Sequence, residues 1–175
     1  MDRPARHTGG VDVVADLDLP CSQEALFAWV DDLSRYPRWL DIVARAEPAA
    51  DGPVQAGAGG HRRDSAGAQQ QEAWAVDLRG RLGPLARSKR LRMVRSELAP
   101  PHRAVFERAE LDGRHHSPWR LSAEVSPAAA GSHLRMHLHY GGSLLGPVVE
   151  RVLGEEIERS KARLAGLVAA HEPRE

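Results

Sequence analysis

The stretch SHLRMHLHYGGSLLGPVVERVLGEEIERSKARLAGLV, residues 132–168, decides how the chain folds. Leu134, Met136, Leu138 and Tyr140 alternate with His133, Arg135, His137 and His139, which predicts a β-strand with one apolar and one polar face. Gly141 and Gly142 then turn the chain, and Pro147 suits the first turn of a helix, where its missing N–H is not needed. Val149, Val152, Leu153, Ile157, Leu164, Leu167 and Val168 recur at helical spacing as one apolar stripe. Arg151, Glu155, Arg159 and Arg163 lie opposite at four-residue intervals and can pair along the surface. A long helix that is apolar on one side must bury that side, so it is expected to lie across the apolar face of a sheet.

The rest of the chain supplies that sheet. Val11 to Leu19 alternates, with Val11, Val13, Ala15, Leu17 and Leu19 on one face and Asp12, Asp16 and Asp18 on the other. Pro20 stops this strand. Ser22 is a good helix N-cap with Glu24 in the first turn, and Leu26, Trp29, Val30 and Leu33 predict an amphipathic helix to about Asp32. A second short helix is expected to carry Tyr36, Pro37, Trp39 and Ile42, with the proline in its first turn. Residues 48–71 turn to Gly, Ala, Gln and Asp and read as a mobile loop or one weak strand. Strand-like segments follow at Trp74–Leu78, Leu91–Met93, Arg103–Leu111, Ser117–Val125 and Ser132–Tyr140. Their short connections, through Pro100-Pro101, Asp112-Gly113 and Ala130-Gly131, favour antiparallel hairpins over crossover helices. No repeat of 20 to 50 residues is present.

Composition narrows the function classes. The 175 residues suit one domain, expected over residues 11–170 between flexible tails at 1–10 and 171–175. Lys+Arg and Asp+Glu both number 24, so no net field draws the protein to nucleic acid or an anionic membrane. The single cysteine, Cys21, excludes an internal disulfide and a multi-cysteine metal site, and next to a helix start it reads as a packed thiol. No apolar run reaches the ~20 residues that span a bilayer, and residues 1–10 lack the apolar core of a secretory signal. A reducing, cytoplasmic setting is therefore expected, without stable membrane insertion.

Several polar patterns invite function and are better read as surface. His133, His137 and His139, with His115 and His116 a hairpin away, could suggest zinc, but the apolar residues between them claim the inner face and turn the histidines outward. Arg87, Lys89, Arg90, Arg92 and Arg95 lack the interleaved aromatics of a nucleic-acid surface; Glu107, Glu110 and Glu124 are expected to neutralise them across strands. Gly57, Gly59 and Gly60 precede no apolar helix that would make a phosphate loop. No metal and no cofactor is expected. In Arg103–Leu111 either parity, unless a bulge intervenes, sends a charge inward: Arg108 and Glu110 with Phe106, or Glu107 with Val105 and Ala109. Such a residue is either a salt-bridged structural group or a polar handle for a ligand, and Arg95 is a second candidate.

The order of elements, one strand, two short helices, a run of antiparallel strands and one long helix, carries a resemblance. Leu19-Pro20-Cys21-Ser22, Asp31-Asp32 and Tyr36-Pro37-Arg38-Trp39 resemble the opening of the polyketide cyclase/dehydrase branch of the START-like (Bet v 1-like, SRPBCC) superfamily. Gly142 to Pro147, continuing through Glu158, is similar to that branch's closing helix. The resemblance covers roughly Val11 to Val168 and implies an α+β helix-grip fold: a curved antiparallel sheet wrapped around the C-terminal helix, with an apolar cavity between them.

A curved sheet under one helix cannot fill its concave side with backbone, so side chains or a guest must do so. Candidate cavity residues are Trp29, Tyr36 and Trp39 from the helical segment and Leu153 and Ile157 from the last helix. The strands offer Trp74, Val76, Leu78, Leu91, Met93, Phe106, Arg108, Trp119, Leu121, Met136, Leu138 and Tyr140, with small residues at Ala15, Ala109 and Ala123 leaving room. The expected partner is an apolar small molecule, lipid- or polyketide-like, bound by a carrier or sensor acting as a monomer or homodimer. The alternative is a polyketide aromatase/cyclase or dehydrase working by acid/base catalysis in the same cavity. For cyclases the resemblance implies a tryptophan followed on its strand face by polar or basic residues; here Val76 and Leu78 follow Trp74. Tyr140, Arg108, Glu107 or Glu110 could still supply a proton-transfer group.

Overall fold

In the structure, a computed structural model, residues 10–49, 72–79, 89–142 and 146–171 are described. Val11–Leu19 forms β1, which buries Val11, Val13, Ala15 and Leu19 and exposes the aspartates between them. Ser22 caps α1 (Gln23–Phe27), its hydroxyl accepting the Ala25 N–H at 3.1 Å. The helix is shorter than its apolar spacing predicts. The N–H groups of Trp29 and Val30 turn back to carbonyls three residues away, and Asp32 then starts a new segment by accepting the Ser34 N–H at 2.8 Å. That segment is a 3-10 helix, Leu33–Arg38, with Pro37 near its end and Trp39 and Ile42 beyond it.

The sequence reading has no strand at Val43–Pro48, yet this is β2. A register shift between Val43 and Arg45 places its buried side chains, Val43 and Ala46, three residues apart and erases the period-two signal. The strands β3 (Ala73–Leu78), β4 (Lys89–Ala99), β5 (Arg103–Arg108), β6 (Trp119–Ala128) and β7 (Gly131–Tyr140) follow. The expected loop or weak strand at 48–71 lies almost wholly outside the described residues, as do the expected tails, although the final helix α2 (Gly146–His171) includes His171.

One antiparallel sheet of seven strands results, in the order β1-β7-β6-β5-β4-β3-β2. Strands β2 to β7 pair in sequence order, whereas β1 joins β7, with Val11 opposite Tyr140 and Leu19 opposite Ser132. The two short helical segments therefore connect opposite edges of a curled half-barrel, and α2 packs along β1. This is the α+β helix-grip architecture that the order of elements predicts. At the β6–β7 turn Gly131 has φ +141°, and a Cβ there would lie 2.2 Å from the Leu19 carbonyl oxygen. Only glycine lets this turn come so close to the end of β1.

The core forms inside the curl. Phe106 and Ala104 face into it, which settles the parity of β5 and puts Arg108 on the inner side; Val105 is equally buried but pairs with Ser122 on the other face. Tyr36 is fully buried, and its ring lies 4.7 Å from Trp39 and 6.3 Å from Phe106. Helix α2 buries Leu153, Leu164 and Val168, with Ser160 among them donating to the Glu156 carbonyl. Of the pairs expected along its exposed side, Arg151–Glu155 is present at 3.9 Å. Arg159 instead takes Glu156, and Arg163 reaches across to Asp41 with two bonds of 2.6 and 2.9 Å.

Replacing Gly131 by alanine is expected to destabilise the protein by about 2 kcal/mol or more, read from urea unfolding. Val14→Ser on the exposed face of β1 is expected to change stability by less than about 0.5 kcal/mol.

Candidate ligand cavity

Between α2 and the concave side of the sheet lies a hollow of about 90 Å³. The 3-10 helix and the residues after it supply Leu33, Tyr36, Trp39, Leu40, Ile42 and Val43. The inward positions of the strands supply Val13, Val76, Leu78, Leu91, Met93, Trp119, Leu121, Met136 and Leu138, and α2 closes it with Leu153 and Ile157. A smaller hollow of about 20 Å³ lies beside it, sharing Trp39, Met136 and Ile157 and touching Ala15. The main hollow is well under the ~300–1,000 Å³ of sites for drug-sized ligands, so a guest of that size needs the lining to move. Met93 and Met136 are unbranched and flexible, and Leu78, Leu121, Leu138 and Ile157 are only partly packed, which makes such movement inexpensive.

Every lining residue is apolar or aromatic, and the lining's side-chain polar atoms belong to Tyr36, Trp39 and Trp119. The Tyr36 hydroxyl donates to the Val30 carbonyl at 2.9 Å. Burial, followed by the charges of Asp31 and Asp32, pushes its phenol far above the ordinary tyrosine value, so it keeps its proton. The indole N–H groups of Trp39 and Trp119 are buried and, among the described residues, have no acceptor.

Twelve of the sequence-predicted residues meet in this lining: Tyr36, Trp39, Val76, Leu78, Leu91, Met93, Trp119, Leu121, Met136, Leu138, Leu153 and Ile157. Five do not. Trp29 packs edge-on to His171, 5.0 Å away, under the Arg38 guanidinium. Trp74 faces a polar depression, its N–H donating to Asp32 Oδ1 at 3.1 Å and Ser34 Oγ at 3.2 Å. Phe106 lies in the core between Tyr36 and Trp74. Tyr140 covers the Trp119 ring from 4.7 Å, with the Lys89 ammonium 5.8 Å from both rings. Burial and, next, the Arg108 charge hold the Lys89 pKa below its ordinary value.

Arg108 is on the inner side but not in the lining. Its Nε donates to Glu110 Oε1 at 2.7 Å and a terminal nitrogen to the Ser117 carbonyl at 3.3 Å. That is the salt-bridged structural arrangement. Arg95 is used similarly: it pairs with Glu72 at 2.6 Å, donates to the Asp31 carbonyl at 2.9 Å and lies over Trp74. Sequence reasoning missed Val13, Leu33, Leu40, Ile42 and Val43 as lining. Val13 and Leu33 already stood on apolar faces, and Ile42 in the expected second helix; Leu40 and Val43 carry no periodic signal because the 3-10 helix and the β2 bulge interrupt it.

The other polar patterns resolve into surface pairs. His133 lies between Asp18 (2.8 Å) and Asp16 (3.1 Å), while His137 and His139 share Asp12 at 2.8 and 2.9 Å. Among the described residues no cluster of His, Cys, Asp or Glu is arranged to hold a metal ion. The basic run is not neutralised as expected. Arg90 takes Asp77 through two bonds of 2.7 Å, whereas Glu107, Glu110 and Glu124 pair with Arg120, Arg108 and Arg103. Arg87 lies outside the described residues. Cys21 is buried. Among the described residues no helix is long and apolar enough to cross a membrane.

Residues 10–172 match the family model for polyketide cyclase/dehydrase and lipid transport proteins. Among solved structures, the chain is similar to a START superfamily protein from Mycobacterium smegmatis, at 16% identity and a TM-score of 0.62, over 93% of this chain and 99% of that one. A protein from Thermus thermophilus matches at 17% identity and a TM-score of 0.62, over 94% of this chain and 99% of that one. The di-domain ARO/CYC StfQ from the steffimycin biosynthetic pathway matches at 16% identity and a TM-score of 0.61, over 94% of this chain and 52% of that one. At such identities the structural likeness establishes the fold alone. No curated protein matches the sequence.

The outer face yields a pH prediction. Hydrogen bonding to Asp18, then Asp16, raises the His133 pKa above 6.5. Its stabilising contribution is therefore complete below that value and is lost as pH rises through the raised folded-state value. The stability difference between the wild type and His133→Asn is expected to be larger at about pH 6 than at about pH 9, by urea unfolding at both.

Proposed function

The chain belongs to the polyketide cyclase/dehydrase and lipid transport family, and within it we propose that this protein binds a hydrophobic small molecule, lipid- or polyketide-like, between the sheet and α2. It acts as a carrier or sensor. The observation that carries this reading is the lining itself: a hollow that the chain leaves vacant, walled by aliphatic, thioether and aromatic groups. Burying an apolar guest there removes its surface from water at about 25 cal/mol per Å². The half-buried Leu78, Leu121, Leu138 and Met136 of the wall can repack around guests of differing shape.

Binding is favoured over acid/base chemistry because of what surrounds the hollow. Proton transfer needs a group of accessible pKa within hydrogen-bond reach of the reacting atom. Tyr36, whose phenol holds its proton, is the only titratable lining residue among those described. Of the groups considered for catalysis, Arg108 and Glu110 bind each other, Glu107 pairs with Arg120, and Tyr140 stands outside the lining.

Native mass spectrometry of the purified protein, before and after organic extraction, tests the reading. An extractable apolar adduct is expected on the wild type and is expected to be lost from Leu121→Trp, which fills the hollow, while circular dichroism stays native. Equal adduct on the wild type and the filled variant would contradict a guest in this cavity.

A further inference from the structure

We propose a second ligand site, outside the hollow, that takes a small organic anion with a carboxylate head and an apolar body. A cleft of about 340 Å³ lies where α1 and the residues after it meet the end of α2. It shares no lining residue with the hollow. Ala25, Ala28 and Val168 make one side roomy and apolar, while Trp29, Arg35, Arg38 and His171 supply the polar groups. Among the described residues no acidic side chain lines it.

The free donors in this cleft point to an anion. The Arg38 guanidinium rests 4.9 Å from the centre of the Trp29 ring and, among the described residues, has no carboxylate partner and no hydrogen bond. Stacked in this way, the planar fork keeps its N–H edge free for an acceptor with two oxygens. Trp29 is 5% exposed, and its Nε1 has no acceptor among the described residues. That atom is nevertheless not sealed from water, as the Nε1 atoms of Trp39 and Trp119 are, and Trp29 lines this cleft. Arg35 adds a second cation, donating to the Ala28 carbonyl and standing 4.0 Å from both Asp31 and Asp32, which lie outside the lining and neutralise it in part. Arg38 is thus the uncommitted charge. His171 donates its Nδ1–H to the Leu167 carbonyl at 2.8 Å, which holds the ring edge-on to Trp29 as the far wall.

Guanidinium and indole donate hydrogen bonds and accept none. Such donors beside an apolar floor select an anion over a neutral molecule of the same shape, and the two arginines repel a cation. The volume falls within the ~300–1,000 Å³ of small-molecule sites, so the ligand has a body as well as a head group.

Titration of the ¹⁵N-labelled protein with benzoate, and with benzyl alcohol, which keeps the ring and lacks the charge, tests the site. With the Trp29 indole resonance assigned from Trp29→Phe, benzoate is expected to move it along a saturable curve. Benzyl alcohol at the same concentrations, and sodium chloride at the same ionic strength, are expected to leave it in place. Arg38→Gln, a change at an exposed position, is expected to weaken benzoate about tenfold. An unmoved Trp29 resonance, an equal response to the alcohol, or equal affinity in Arg38→Gln would overturn the inference. So would benzoate that moves the Trp39 or Trp119 resonance instead, since it would then occupy the hollow. The comparison of acid with alcohol uses the wild-type protein, so it decides even where the variant folds poorly.

Discussion

The pairing of β1 with β7 is the contact on which the rest of the structure depends. It joins residues 11–19 to residues 132–140, the first strand in the chain to the last. Every other strand pair in the sheet is a sequence neighbour. Because β1 lies beyond β7 while β2 sits at the far edge, the chain between β1 and β2 has to travel from one edge of the curl to the other. The two short helical segments make that passage, and Leu33 and Tyr36 of the second, with Trp39 and Leu40 just after it, form one wall of the hollow. The pairing also brings the inward side of β1 under α2, where Val13 and Leu153 pack together. Gly131 permits the close approach at the end of this ladder that a side chain would block.

A hollow follows from these constraints. A strongly curved sheet diverges from a straight helix, so α2 closes against β1 and leaves the space over β3, β4 and β6 to side chains. Those side chains are leucines, methionines and single tryptophans, which approach one another without filling the space. Charges that share the inner parity are withdrawn from it: Arg108 is tied to Glu110 at the sheet's end and Arg95 to Glu72 at its rim. What remains, among the described residues, is a chamber walled by aliphatic, thioether and aromatic side chains.

Most of this frame was legible in the sequence because one-sided burial leaves a periodic trace. The alternation of Leu134, Met136 and Leu138 and the stripe through Leu153, Ile157 and Leu164 gave the inward faces of β7 and α2, and with them much of the lining. The reading failed where geometry breaks the period. Val43 and Ala46 are three apart because β2 is bulged, so it carried no strand signal. Ala104, Val105 and Phe106 are all buried, so β5 does not alternate by burial, and its parity emerged only from the rings around Phe106. Trp74 and Tyr140 illustrate a further limit: a side chain can start from an inward face and still turn its polar end elsewhere, Trp74 to Asp32 and Tyr140 over Trp119. Spacing along a strand gives a direction of departure, not the place of arrival.

The central claim is that the chain encloses an apolar space able to take a guest. Diffraction from a crystal pressurised with xenon tests it most directly, since xenon enters dry apolar cavities and reports them by its scattering. Xenon density is predicted between Leu91, Leu138 and Leu153, with the surrounding backbone in place. A crystal in which those side chains meet one another and xenon occupies only surface crevices would contradict the account.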